Sequence, residues 1–265
     1  QLTSGKYKTT GTINHYRTTG GLTKDVHISV VLRGVGRAGG PLNPSDVAVN
    51  QGGTIIEAQS SFGDVIQVGT GNTYYHYGSG IDGLTVAALA TMGNTTAGIR
   101  IYKTQAYLIN DVDTWHQYKG IVTEVNSNGN IVNTQVNDVG INPATGLAGA
   151  DLATAIGIEW NGAGTVLLTR CTNDWPTTAK RGRAGIRILG AIRASQCEFN
   201  GFEYAGIVDP SSLLPRSPAT SVKSMTASKA GTTVTRSAGD TFASTDVGGY
   251  IYWGTALTAD LITVF

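Results

Sequence analysis

Carboxylates recur at similar turns along the chain and could carry acid/base chemistry. Asn-Asp pairs occur at Asn110-Asp111, Asn137-Asp138 and Asn173-Asp174, each after an apolar stretch. If these stretches lie side by side, Asp111, Asp138 and Asp174 form a column in which one carboxyl tends to stay protonated beside its neighbour. Glycoside hydrolysis needs two carboxyl groups about 5–9.5 Å apart. The three aspartates are therefore candidate catalytic residues, although Asn-Asp is also a common turn dipeptide because both side chains bond their own backbone.

A second set of candidates comes from the pattern Gly-apolar-x-apolar, in which strand alternation turns the third residue outward. Copies begin 22, 37, 28 and 21 residues apart, at Gly98, Gly120, Gly157, Gly185 and Gly206. The pattern predicts one outward row made of Gln67, Arg100, Val122, Glu159 and Arg187. Glu159, with Asp138 or Asp174, is an acid/base candidate, and Arg100 and Arg187 are candidates to bind substrate carboxylates. The alternative is a cross-strand ion pair that stabilises the fold by about 0.2–1 kcal/mol.

Aromatic side chains beside these carboxylates offer flat surfaces on which sugar rings commonly stack. The candidates are Trp115, Trp160 and Trp175, and Asp113 and His116 flank the first of them. The sequence contains no G-x-S-x-G elbow, P-loop or H-E-x-x-H motif. We expect no metal site and no cofactor.

Composition limits both the fold and the partners. Charged residues are 14% of the chain and glycine is 36 of 265 residues, which suits many short strands joined by tight turns. A net charge of +1 gives no general attraction to nucleic acid or to an anionic membrane. No apolar run of membrane-spanning length is present, so we expect neither nucleic-acid binding nor membrane insertion. The two cysteines, Cys171 and Cys197, fit buried thiols better than a disulfide scaffold.

The repeats predict how the strands pair. Each Gly-apolar-x-apolar copy is followed by a second apolar stretch that ends in a polar turn, so each repeat supplies two or three short strands. A doubly wound sheet would need crossover helices, which the sequence lacks, and a β-sandwich would not need phased repeats. We therefore predict an all-β chain that coils as a right-handed single-stranded parallel β-helix over residues 1–208. Variable repeat lengths place insertions in external loops.

The C-terminal part differs from these repeats. Residues 209–218 hold three of the seven prolines and predict a linker. Residues 219–265 predict a small β-rich C-terminal module. The chain begins with Gln1 and ends within a strand-like stretch at Phe265, so we expect a segment of a longer polypeptide, with this module truncated.

The order of the opening segments resembles the pectate-lyase-like parallel β-helices, particularly phage tailspikes. The segments that carry the resemblance are Gly5–Ile13, Val31–Arg37, Gly53–Ile56, Gly63–Val68 and Gly80–Val86, and it extends over roughly residues 1–210. The N-terminal capping helix usual in that family is missing. The resemblance implies a homotrimer in the phage tail, outside the cell, that contacts other virion tail proteins and bacterial surface polysaccharide.

Whether such a protein is an enzyme stays open at the level of sequence. One hypothesis is a depolymerase, acting by glycoside hydrolysis or by elimination. The alternative is a non-catalytic structural β-helix, such as a virion decoration, baseplate or fibre component, or an adhesin. A third hypothesis is a free secreted polysaccharide lyase of bacterial origin.

Overall fold

The fold is all-β, as predicted. The computed structural model describes residues 1–15, 30–38, 52–69, 75–88, 93, 95–142, 147–148, 155–172, 182–208, 225–230, 233–239, 250–252 and 259–261. Within these ranges every regular element is a strand and no helix occurs. Most strands belong to two parallel sheets, here called sheet A and sheet B.

Sheet A contains the larger set of strands. They are β1 (Gly5–Thr9), β3 (Val31–Arg33), β4 (Thr54–Ala58), β6 (His76–Tyr77), β7 (Gly80–Ala88), β9 (Thr104–Trp115), β11 (Asn128–Val132), β12 (Gln135–Asn137), β16 (Ala163–Leu167), β17 (Arg170–Thr172), β19 (Ala191–Ser195) and β20 (Glu198–Asn200). Sheet B contains β2 (Ile13–His15), β5 (Ile66–Val68), β8 (Ala97–Ile101), β10 (Lys119–Thr123), β15 (Ile156–Trp160), β18 (Ala184–Ile188) and β21 (Tyr204–Val208).

The chain alternates between the two sheets in a regular order. From β8 onward, each sheet B strand is followed by one long or two short sheet A strands, and then by the next sheet B strand. Each strand pairs in parallel with its equivalent in the following repeat, as in β10 with β15 and β11 with β16. The short hairpin of β13 (Ile141–Asn142) and β14 (Leu147–Ala148) is inserted between β12 and β15.

The Gly-apolar-x-apolar copies align as predicted in four of five cases. Ile99, Ile121, Ile158 and Ile186 lie opposite one another in sheet B, which brings the preceding glycines into one column. The fifth copy was misaligned by one residue, because Gly206 lies opposite Ile186 rather than Gly185. Backbone bonds from the Glu203 and Tyr204 amides, at 2.9 and 3.0 Å, start that strand one residue earlier than the glycine spacing suggests.

The hydrophobic core lies between the two sheets. Strand alternation turns one apolar column of each sheet inward, including Ile109 and Ile131 of sheet A and Ile99 and Ile121 of sheet B, all fully buried. Burial of such a side chain contributes about 1.5–3 kcal/mol. Stacking equivalent residues therefore gives every repeat the same core.

The glycine column exists because the two sheets approach closely at one corner. A Cβ atom on Gly120 would lie 2.3 Å from Val136 Cγ1 and 2.7 Å from the Gly157 carbonyl oxygen. Gly157 and Gly185 meet Cys171 and Phe199 in the same way. The inward residues of β12, β17 and β20 thus pack directly on the sheet B backbone, which explains why glycine recurs there.

The chain forms two compact units, Gln1–Val208 and Asp209–Phe265. The described strands of the second unit form two antiparallel pairs. They are β22 (Met225–Ala230) with β23 (Thr233–Gly239), and β24 (Tyr250–Tyr252) with β25 (Ala259–Leu261). Residues 209–218, the predicted linker, lie outside the described residues.

Candidate functional site

The residues of the predicted outward row of sheet B are in register, although Val122 is buried with 1% exposure. Register places Gln67 opposite Arg100, Arg100 opposite Val122, Val122 opposite Glu159, and Glu159 opposite Arg187. Strand alternation therefore predicts the correct neighbours in this row. The contacts that these side chains make are what decide whether they can bind a substrate.

Glu159 is held by two cations of the protein itself. Lys119 Nζ lies 2.8 and 2.9 Å from the two carboxylate oxygens, and Arg187 Nη1 lies 3.4 Å from Oε2. All three side chains are largely buried. The arrangement is the cross-strand ion cluster that was the alternative to catalysis, and no sequence pattern indicated that Lys119 would join it.

Arg100 is similarly engaged. Its Nε lies 2.7 Å from Asp64 Oδ2, its Nη1 lies 2.5 Å from Glu124 Oε1, and its Nη2 donates to the Thr95 carbonyl oxygen at 2.7 Å. Asp64 also accepts the Ala97 amide at 2.8 Å, which ties the ion pair to the start of β8. With all three guanidinium nitrogens bonded, Arg100 serves to join strands rather than to receive a substrate carboxylate.

The prediction of Trp160 as a sugar platform is wrong. Its side chain is fully buried in the core, and its Nε1 donates to the Gly162 and Ala191 carbonyl oxygens at 3.1 and 3.0 Å. Alternation within Gly157–Trp160 already places this residue inward, on the same side as Ile158. Trp175 and Asp174 lie outside the described residues.

The predicted stacking of Asp111 on Asp138 in one column is also wrong. Asn110 lies opposite Val132, whereas Asn137 lies opposite Trp115, five residues further along β9. Asp111 and Asp138 therefore occupy two different corners of sheet A. Both have a positive φ, of 51° and 48°, in the left-handed region where Asp and Asn are the commonest residues after glycine. The Asn-Asp pairs recur because both corners need this backbone.

Asp111 instead belongs to a group on the outer face of sheet A that we call the Arg37 site. It consists of Arg37, Asp111, Asp113 and Asn133. Arg37 Nε lies 3.2 Å from Asp111 Oδ1, and Arg37 Nη1 lies 3.2 Å from Asp113 Oδ1. Asn133 Nδ2 donates to Asp111 Oδ1 at 3.2 Å. One guanidinium thus bridges two carboxylates on β9.

The two carboxylates of the Arg37 site have different environments. The Asp113 side chain is 4% exposed and that of Asp111 is 33% exposed. Burial raises the pKa of Asp113 to about 6, with Arg37 lowering it and Asp111 raising it further. A buried carboxyl that keeps its proton up to about pH 6, beside a partly exposed carboxylate, gives the division of roles that acid/base catalysis on sugars requires.

Arg37 reaches these residues because a short segment crosses the outer face of sheet A. The Gly34 and Gly36 amides donate to the Asp82 and Gly83 carbonyl oxygens, both at 2.9 Å, and the Ala38 amide donates to Thr85 Oγ1 at 2.9 Å. A Cβ atom on Gly34 would lie 2.2 Å from the Gly83 carbonyl oxygen, so only glycine allows this approach. The Gly34–Ala38 segment therefore covers Asp113.

The far end of β9 carries a second polar group, at the corner where sheet A leads to sheet B. Trp115 and His116 stack edge to face with centroids 5.9 Å apart, and His116 Nε2 lies 3.8 Å from Asp138 Oδ2. Burial lowers the pKa of His116 to about 4, so the ring is neutral near pH 7. Trp115 is 8% exposed and packs with Ala38, so it is not an open platform.

This arrangement contains residues that sequence reasoning did not select. Arg37 lies more than seventy positions before Asp111 and Asp113 in the chain.

Among the described residues, no group of three or more His, Cys, Asp or Glu side chains is placed to hold a metal ion. No described helix is long and apolar enough to cross a membrane.

Comparison with known proteins adds no relative. No protein-family model matches the chain, and neither a curated protein nor a solved structure is significantly similar to it.

Proposed function

We propose that residues 1–208 form a right-handed single-stranded parallel β-helix. The fixed order of strands, with sheet B followed by sheet A in every repeat, supports a chain that coils in one direction. The connection between two parallel strands of the same sheet is right-handed in about 98% of cases. This preference supports a right-handed coil.

We further propose that this coil belongs to a tailspike-like virion protein that binds bacterial surface polysaccharide. The observation that carries this proposal is the position of the variable connections. From β7 onward, the connections from sheet B to sheet A are short, at residues 102–103, 124–127, 161–162 and 189–190. The two earlier ones are longer, at residues 16–30 and 69–75. From β7 onward, the connections from sheet A to sheet B vary widely, at residues 89–96, 116–118, 138–155, 173–183 and 201–203.

Insertions concentrated at one corner of a repeat protein commonly mark its binding face. This corner is the one that carries Trp115, His116 and Asp138. A coil with equivalent side chains at each repeat also suits a polymer that repeats along its length. The homotrimeric state, the extracellular position in the phage tail and contacts with other virion tail proteins are part of the same proposal, and they rest on the resemblance.

The Arg37 site favours depolymerisation as a second element of the function. In a hydrolytic reaction, protonated Asp113 would donate its proton to the glycosidic oxygen as that bond breaks. Asp111 would act as nucleophile or would activate the attacking water. Because the Gly34–Ala38 segment covers Asp113, the segment must move to admit the substrate.

The non-catalytic structural role is favoured by a different observation. Glu159, Arg100 and Arg187 are bonded to protein partners, and Trp160 lies in the core. If the Arg37 site only fastens the Gly34–Ala38 segment to sheet A, the protein is a binding or structural component without catalysis.

A depolymerisation assay on purified bacterial surface polysaccharides separates these functions. Reducing-end release reports cleavage, and ultraviolet absorbance reports the unsaturated sugars that an elimination would produce. We expect Asp113→Asn to abolish cleavage and Asp82→Asn, a neighbouring outer-face carboxylate, to retain it. Binding without cleavage by the wild type would exclude the catalytic role, and neither binding nor cleavage would exclude the proposed function altogether.

A further inference from the structure

Several buried polar atoms without a hydrogen-bond partner lie together at the far end of β9. Among the described residues, this group belongs to the side chains of Thr114, Trp115, His116, Gln117 and Asn137. Register places Asn137 on the neighbouring strand, directly opposite Trp115. A buried polar group without a partner costs about 1–3 kcal/mol, so a group of them at one place in the fold needs a physical reason.

Two of these side chains lie on the outer side of sheet A. Trp115 packs with Ala38 in a small cluster that is separate from the core, and Asn137 follows it in the same column of the register. Thr114 and Gln117 instead pack against the glycine column of sheet B. Trp115 and Asn137 therefore form a pair that faces away from the core.

The polar atoms left over in this outer pair are both N–H donors. Trp115 Nε1 and Asn137 Nδ2 have no acceptor among the described residues, and each side chain is more than nine-tenths buried. Asn137 Oδ1 already accepts from Thr172 Oγ1 at 2.8 Å, so the amide nitrogen is the part of Asn137 that remains available. Two neighbouring donors match an oxygen atom that accepts hydrogen bonds at both lone pairs.

The surroundings of the pair favour an uncharged oxygen. Asp138, an anion, follows Asn137 in the chain, and its Oδ2 lies 3.8 Å from His116 Nε2. Burial lowers the pKa of His116 to about 4, so this ring adds no positive charge near pH 7. The guanidinium of Arg37 is bonded to two aspartates of β9. A ligand carboxylate would approach the Asp138 anion, whereas a carbonyl oxygen brings no charge to it.

We propose that Trp115 and Asn137 bind the carbonyl oxygen of an acyl group, N-acetyl or O-acetyl, carried by the polysaccharide. This inference rests on the proposed polysaccharide binding and names the chemical group that is recognised. An acyl carbonyl oxygen accepts hydrogen bonds without bringing a proton that needs its own acceptor, as a sugar hydroxyl does. Because Ala38 packs on Trp115, the movement of the Gly34–Ala38 segment that admits substrate to Asp113 also uncovers this pair.

Matched forms of one polysaccharide test the inference. Purified bacterial surface polysaccharides that bear acetyl groups would be measured by calorimetry with the full chain, before treatment, after mild alkali, which removes O-acetyl groups only, and after de-N-acetylation. Salt at about 0.5 M screens the amines that de-N-acetylation creates. We expect loss of the recognised acyl group to weaken binding about ten- to a hundredfold, because two hydrogen bonds are lost, and re-acetylation to restore it.

Variants locate the acyl group at this pair. Trp115→Phe keeps an aromatic ring but removes the indole donor, and Asn137→Leu removes the amide donor at similar size. We expect each to weaken binding of the acetylated form about two- to tenfold and to leave binding of the deacetylated form unchanged. The matched control is Trp160→Phe, whose Nε1 is bonded to carbonyl oxygens in the core and which should bind as the wild type does.

The outcomes separate this inference from the proposed function. Equal affinity for the acetylated and deacetylated forms would refute acyl recognition while polysaccharide binding stands. Acetyl-dependent binding that neither Trp115→Phe nor Asn137→Leu alters, in variants with native circular dichroism, would overturn the assignment of the acyl group to this pair. Binding to no polysaccharide would refute both proposals.

Discussion

Substituting Gly120 tests whether the two sheets are in contact through the glycine column. In Gly120→Ala, the new Cβ would be placed 2.3 Å from Val136 Cγ1, 2.7 Å from the Gly157 carbonyl oxygen and 2.9 Å from Thr114 Oγ1. Real Cβ atoms essentially never come this close to another atom. One of the three neighbours is backbone in a parallel ladder and cannot move without breaking strand pairing.

The expected cost follows from overpacking. Inserting a methyl group into a filled core costs about 1–3 kcal/mol, and we expect the upper end because a carbonyl oxygen lies among the clashing atoms. For a chain of this size, each kcal/mol lowers the melting temperature by about 2–4 °C. Gly120→Ala should therefore melt roughly 6–12 °C below the wild type and show a lower urea midpoint with the same slope.

Two further variants make this prediction refutable. Gly11→Ala is the matched control, since a Cβ there meets no atom within 4 Å, and its stability should stay within about 0.5 kcal/mol of the wild type. Adding Val136→Ala to Gly120→Ala removes the shortest contact but not the carbonyl, so we expect a partial rescue measured as non-additivity. If Gly120→Ala melts together with Gly11→Ala, the close approach of the sheets at this corner is refuted.

Three other predictions concern titration, ion pairing and thiol reactivity. Because the pKa of Asp113 is raised to about 6 in the folded state, against roughly 3.9 unfolded, its protonation favours folding. This contribution to the free energy of unfolding, of order 2–3 kcal/mol, is present below about pH 4 and is lost as the pH rises through 6. The stability of the wild type relative to Asp113→Asn should therefore be lower at pH 7 than at pH 4.5, as measured by the urea midpoints of the two proteins. Glu159→Gln should lower the free energy of unfolding by about 1 kcal/mol, and a double-mutant cycle with Lys119→Met should show coupling between the two side chains. Polysaccharide binding by Glu159→Gln should be unchanged. Loss of binding would instead support a ligand role for Glu159. Burial raises the pKa of the Cys171 thiol, so a thiol reagent should modify Cys171 only after unfolding, and rapid reaction in the native protein would contradict its place in the core.

The sequence predicted the parts of the fold that depend on local alternation. The pattern of Gly98 to Ile101 predicted the strand, its inward and outward residues and its register with the next three copies, because each side chain's direction follows from its position in the strand. It failed at Gly206, where the register is set by backbone bonds from Glu203 and Tyr204 that the glycine spacing does not contain.

The candidate site was predicted less well, for two physical reasons. Asn110-Asp111 and Asn137-Asp138 look equivalent because Asp111 and Asp138 both take the left-handed backbone that Asp and Asn adopt readily, so the dipeptide identifies a corner without telling which one. Arg37 is brought to Asp111 and Asp113 by a segment bonded to β7, the strand next to β9, and no local pattern reports such a long-range contact. Trp160, in contrast, could have been placed in the core from alternation alone.

The connections at the two corners of the coil, from sheet B to sheet A and from sheet A to sheet B, differ in how much their lengths vary. This difference links the architecture to function. From β7 onward, connections from sheet B to sheet A span two to four residues, such as 161–162 and 124–127. Connections from sheet A to sheet B range from residues 116–118 to residues 138–155, so their length is not needed for strand pairing. A corner that tolerates insertion beside a strand end carrying His116 and Asp138 can change its ligand contacts without altering the core. Selection on binding would therefore act on that corner, while selection on stability acts on the glycine column and the stacked isoleucines.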